Sequence, residues 1–162
     1  MLFVVALVVF ILDRVTKLAI QHNLGLGDHV QVLGDILWLD HTQNSGIAFS
    51  LARTHSGLVF VFDILAIVFI LYLARRMPSG EPWMRLGLGM VLGGAVGNAV
   101  DRVLAGSVTD FIDFRIWPVF NVADMGVTVG ALLIAWRLYV GSRRDAARGP
   151  EPEPEREPEQ ER

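Results

Sequence analysis

Apolar residues gather into four long runs separated by polar segments. The runs are Leu2 to about Ile20, Leu58 to about Ala74, about Leu86 to Leu104, and about Val122 to Val140. Each approaches the roughly 20 residues a helix needs to cross a hydrocarbon core, so the pattern predicts four transmembrane helices. The first run has no charged leading region and continues into Asp13, Arg14 and Lys17, not into a small-residue cleavage site. It therefore reads as a retained anchor and not as a secretory signal. Within segment 21–57, Val30-Gln-Val-Leu33 and Ile36-Leu-Trp-Leu39 flank the turn Gly34-Asp35 and predict two short strands. Ile47 to Ala52 reads as a short amphipathic, interfacial helix. The expected fold class is an all-α membrane protein of four transmembrane helices, with a small extracytoplasmic sheet and that short interfacial helix.

Composition agrees with the pattern. Of 162 residues, 52% are hydrophobic and 19% charged, with mean hydropathy +0.46; soluble domains carry about 25% charged residues. A soluble enzyme is disfavoured. The net charge of −3 belongs to the end of the chain, because residues 149–162 hold six Glu and two Arg while the remainder carries a net +1. That Pro/Glu alternation cannot bury a core and predicts a disordered cytoplasmic tail after a membrane domain of residues 1–148. No basic face suits nucleic acid. With no cysteine, disulfides, thiolate metal sites and a cysteine nucleophile are excluded.

Arginine placement orients the spans. Arg75, Arg76 and Arg85 follow the second run or precede the third, and Arg143, Arg144 and Arg148 follow the fourth. Both clusters belong on the cytoplasmic side. Both termini are then inside, and segments 21–57 and 105–121 outside.

Polar residues within or bordering apolar runs carry the candidate chemistry, because a charge in hydrocarbon is costly. Gly89, Gly93 and Gly97 recur every four residues and form a seam for close helix approach; Asp101 continues the stripe and Asn98 lies beside it. Asp110 and Asp124 fall at opposite ends of one short connection at the outer boundary. Two carboxylates brought together there can share a proton, one taking a proton from water and the other hydrogen-bonding the carbonyl under attack. The plainer alternative is that Asn121 and Asp124 only cap the fourth helix. Asp13 and Lys17 form an i,i+4 acid–base pair, most simply a structural salt bridge, with Lys17 able to snorkel outward and Arg14 turned toward a different neighbour. Asn44-Ser-Gly-Ile-Ala-Phe49 taken alone is a turn. Gly25-Leu-Gly-Asp28 matches the GxGD pattern of presenilin-type proteases but lies past the first span. His22, His29, His41 and His55 lack metal-ligand spacing.

Taken together, Asp13-Arg-Val-Thr-Lys17, Asn44-Ser-Gly-Ile-Ala-Phe49, Gly93-Gly-Ala-Val-Gly-Asn98-Ala-Val-Asp101-Arg102, Val108-Thr-Asp110-Phe and Phe120-Asn-Val-Ala-Asp124 resemble the bacterial lipoprotein signal peptidases (signal peptidase II). The resemblance covers nearly all of the chain except the tail. It implies Asp110 and Asp124 as the catalytic aspartates of VxDF and FNxAD motifs. It also implies that Asn44, Gly46, Asn98, Asp101, Arg102 and Asn121 line or brace the site, with Asp13 and Lys17 as the first-helix pair. Asp113 is a nearby second carboxylate, and the motif frame favours Asp110; if the segment is extended and Asp110 faces Asp124, the two-residue period turns Asp113 away, toward solvent or headgroups. The implied reaction is hydrolysis without metal or cofactor in the bacterial inner membrane. The implied substrate is a prolipoprotein cut before a diacylglyceryl-modified cysteine at the outer leaflet. Membrane lipid is the other expected partner, with no nucleic acid and no obligate protein partner. A small transporter or ion-pathway subunit would also hold intramembrane Asp, Asn and Arg, but near the midplane and often on broken helices. A scaffold held by the glycine seam leaves the Asp110/Asp124 pair without a purpose.

Overall fold

A computed structural model describes residues 1–45, 56–77 and 80–148. Helix α1 (Leu2–Asn23) is followed by strands β1 (His29–Leu33) and β2 (Leu37–Asn44) and helices α2 (Ser56–Arg76) and α3 (Pro82–Ala105). Strand β3 (Val108–Asp113) and helix α4 (Val122–Arg148) complete the chain. Each of the four apolar runs has become one helix. Pro82 opens α3 in the first turn, where a missing N–H costs nothing. Gly106 closes it in the left-handed conformation at φ 72°, which swings the chain straight into β3. By length and composition, Pro82–Ala105 and Val122–Arg143 can cross a membrane.

Helix α3 is the centre of the bundle and packs against α1, α2 and α4. Its glycines make this possible on two faces. A Cβ at Gly89 would stand 2.6 Å from the Leu2 carbonyl oxygen of α1, and one at Gly130 of α4 would stand 2.6 Å from the Gly87 carbonyl oxygen of α3. Neither backbone can retreat from its neighbour without opening the bundle. The seam at Gly89, Gly93 and Gly97 therefore serves α1, and a second seam, Gly87 and Gly94 against Gly126 and Gly130, serves α4. Leu2, Ala6, Ile70, Leu88 and Leu92 form the buried apolar cluster. Phe3, Leu7, Phe62, Phe69 and Trp136 face outward, an apolar exterior far beyond that of a soluble monomer.

The sheet has the order β1-β2-β3, antiparallel throughout. The expected hairpin is present about Gly34-Asp35, although β2 begins at Leu37 and continues to Asn44, beyond the predicted Leu39. The sequence pattern leaves 105–121 as a plain connection. In the structure residues 108–113 are instead the third strand, with Thr42 opposite Asp110 and Asn44 opposite Val108. The predicted interfacial segment Ile47 to Ala52, the candidate Gly46 and the tail 149–162 lie outside the described residues.

Candidate active site

One end of the bundle, where α1, α3, β2, β3 and the start of α4 meet, holds a connected polar network. Its base is Lys17, which is fully buried. The ammonium donates to Asn98 Oδ1 at 3.0 Å and is ion-paired with Asp13 Oδ2 at 2.9 Å and Asp101 Oδ2 at 2.8 Å, so the buried charge is met by two carboxylates and an amide oxygen. The expected i,i+4 salt bridge is present, but Lys17 does not snorkel. It points inward, because two carboxylates and an amide there replace the water it would otherwise seek. Arg14 does not serve a different neighbour either; it pairs with the same Asp101. Asp13 Oδ1 in turn accepts the Ala123 N–H at 3.0 Å, one of the donors that the first turn of α4 leaves without an intrahelical partner.

Lys17 orients the next layer. A donor on Asn98 Oδ1 forces the Asn98 amide nitrogen to the other side, where Nδ2 donates to Asp124 Oδ1 at 2.8 Å. Asn121 and Asp124 cap α4 reciprocally, as the alternative reading supposed. Asn121 N–H donates to Asp124 Oδ2 at 3.2 Å, and Asp124 N–H donates to Asn121 Oδ1 at 2.9 Å. Capping does not exhaust Asn121. Its Nδ2 donates to Asp110 Oδ1 at 2.6 Å, while Asn44 Nδ2 donates to Asp110 Oδ2 at 2.9 Å. A single asparagine thus contacts both carboxylates.

The two aspartates differ in setting. Asp110 is 2% exposed on β3, and its pKa is pushed up to about 6. Burial is the main cause and the Asp124 charge adds to it, against the hydrogen bonds from Asn44 and Asn121 and the Lys17 charge. Asp124 is partly exposed and stands between two clefts. One, of about 300 Å³, is apolar and lined by Trp117, Phe120, Met125 and Val129. The other, of about 270 Å³, is lined by Asp63, Asn98, Arg102 and Val127.

Asp113 points to the other side of β3, as the strand period requires, but not to solvent. It is 5% exposed because Arg115, lying over the Trp38 ring at 4.1 Å, covers it. Arg115 Nη1 reaches Asp113 Oδ2 at 3.2 Å. Burial and the nearby Asp113 carboxylate together raise the pKa of Asp40 beside them. Asp28 of the GxGD segment accepts the Gly25 N–H at 2.9 Å and merely closes a turn. Asn44, Asn98, Asp101, Asn121, Asp13 and Lys17 all belong to the network around Asp110 and Asp124. Arg102 instead lines the second cleft, paired with Asp63 of α2. Asp63 escaped the sequence reading, although a lone carboxylate within an apolar run is the signal that finds it.

The family model described as signal peptidase (SPase) II matches residues 5–140. A lipoprotein signal peptidase of Moorella thermoacetica is 37% identical over 135 residues, covering 83% of this chain and 90% of that protein. One of Mycobacterium tuberculosis is 44% identical over 140 residues, covering 83% and 68%. A bacterial membrane enzyme solved by the in meso method at 2.3 Å resolution superposes with a TM-score of 0.77 at 29% identity, covering 95% of this chain and 94% of that one.

Proposed function

The chain belongs to the signal peptidase II family, and from that premise we propose that it removes signal peptides from prolipoproteins as an aspartic endopeptidase, with Asp110 and Asp124 as the reacting pair. The observation that carries this reading is Asn121, which donates to Asp110 through Nδ2 and to Asp124 through its N–H. Two carboxylates tied to one small side chain are held where an acid and a base can act on one substrate bond. Burial raises the proton affinity of Asp110, which suits it to the acid's part. Asp124, open to two clefts, is the base.

Water between Asp124 and the scissile carbonyl gives a proton to Asp124 as its oxygen attacks carbon, and Asp110 protonates the carbonyl oxygen. The tetrahedral species then collapses. The C–N bond breaks, the leaving nitrogen takes the proton from Asp124, and a hydroxyl proton returns to Asp110. The products are the signal peptide's carboxylate and a new amino terminus on the cysteine. Asn44, Asn98 and Asn121 hold the carboxylates, while Lys17, Asp13 and Asp101 hold Asn98 and the start of α4. Two carboxylates supply the acid and the base, so the reaction needs no metal.

The substrate's cysteine carries diacylglyceryl, and its acyl chains bring the scissile bond to the outer leaflet. All four helices span the inner membrane, both termini are cytoplasmic, and the network lies at the extracytoplasmic face; the arginines at 75, 76, 143 and 144 support this orientation.

The test is cleavage of a lipidated prolipoprotein by purified protein, with an unlipidated control and with excess chelator present. Wild type is expected to cut only the lipidated form and to ignore chelation. Asp110→Asn and Asp124→Asn should each lower turnover at least ~10³-fold, and the double variant little further, because the two act as one unit. Asp113→Asn should stay within about tenfold of wild type, an expectation that rests on its separate cluster with Arg115. Full activity in Asp110→Asn, or loss on chelation restored by zinc, overturns the mechanism.

A further inference from the structure

One charged pair beside the site has no part in the network just described. Asp63 Oδ2 on α2 is ion-paired with Nη1 of Arg102 on α3, the two side chains being 18% and 13% exposed. Joining two apolar helices by a half-buried ion pair is costly in desolvation, and an apolar contact would hold them at least as well. The pair therefore calls for a reason other than packing.

Its surroundings supply one. Asp63 and Arg102 line the cleft of about 270 Å³ that Asn98 and Asp124 also line. Arginine presents five donors in a rigid fork. Among the described residues, Arg102 Nε is buried and has no hydrogen-bond partner. A buried donor without an acceptor is rare in a finished structure, and a carbonyl oxygen entering the cleft is the acceptor that suits it. Without its partner, the guanidinium would be free to turn to another carboxylate lining the same cleft, and that carboxylate is Asp124.

We propose that Asp63 is a positioning residue, which holds the Arg102 guanidinium away from Asp124 and aims its remaining donors at a backbone carbonyl oxygen of the substrate segment lying in the cleft. The proposal rests on the peptidase reading above and adds to it a group that no motif of the sequence marks. Asp63 touches neither water nor scissile bond; it acts only through Arg102.

The experiment is a double-variant cycle on the full chain, with kcat and KM read on the lipidated prolipoprotein and folding checked by thermal melt. Asp63→Asn is expected to lower kcat/KM by ~10–100-fold, the effect of one charged hydrogen bond, chiefly through KM. Asp63→Glu, which keeps the carboxylate, should stay within about threefold of wild type. Adding Asp63→Asn to Arg102→Gln should cost nothing more. Wild-type kcat/KM in Asp63→Asn overturns the positioning role. So does a Glu variant as impaired as the Asn variant, or a double variant whose loss is the product of the single losses. A wild type that cuts nothing, or an Asp124→Asn variant that still cuts, overturns the parent reading instead.

Discussion

Asp110 is held by donors on both sides, Asn44 on one oxygen and Asn121 on the other, yet burial still lifts its pKa to about 6. The folded protein thus binds this proton more tightly than the unfolded chain, in which an aspartate titrates near 3.9. The linkage has a definite sign. Stability from this group is greatest below about pH 4, where both states are protonated. It is lost as pH rises from about 4 to about 6, where only the unfolded state releases the proton, by about 3 kcal/mol. Thermal melts in detergent should show wild type losing stability across that window relative to Asp110→Asn, in which the titrating group is gone. Parallel melting curves for the two proteins would contradict the assignment. That Asp110 and Asp124 would be brought together was legible in the sequence because short motifs frame each, and both meet at Asn121. Asp63 was not, since a run judged by its mean apolarity hides a single charge. The inward turn of Lys17 was hidden for another reason: its three partners come from α1 and α3 together.

The four helices were legible as elements because each is a continuous apolar run, and the β1–β2 hairpin because its turn is local. Strand β3 was not. Residues 108–113 are buried on both faces apart from Ile112, with one aspartate to each face, so no alternation of apolar and polar marks the strand. Its partner, β2, lies far away in sequence. The glycine seam on α3 was half legible: the stripe at every fourth residue was visible, while the second face against α4 needed the helices' mutual rotation. Both seams make a common prediction. Gly93→Val places side-chain atoms against the Ala6 carbonyl of α1, where overpacking costs ~1–3 kcal/mol or more, and should lower the melting temperature in detergent. Gly141→Ala, whose Cβ meets only the far end of the Arg137 side chain at 3.1 Å, should leave it unchanged or raise it, since alanine is the better helix former. Equal melting temperatures would mean that α1 and α3 are not in the close contact described.

Across the whole molecule, α3 is the strut on which α1, α2 and α4 rest, and the polar network occupies only one end of the bundle. If the arginines orient the bundle, reporter fusions after Met77 and after Arg148 should read cytoplasmic and one near Asp40 extracytoplasmic. An extracytoplasmic signal after Arg148 would reverse the model and move the site to the wrong leaflet.

The network also has an order in time. Lys17 and Asp13 emerge with the first helix and Asn98 and Asp101 with the third, but Asn121 and Asp124 arrive only with the last. Until then Asp110 has no bridging donor and no companion carboxylate, and Asp13 Oδ1 has no Ala123 N–H to accept. If Asp110 and Asp124 are the reacting pair, a nascent chain halted anywhere before α4 docks is therefore expected to be chemically silent, with hydrolytic power arising only as the final helix takes its place.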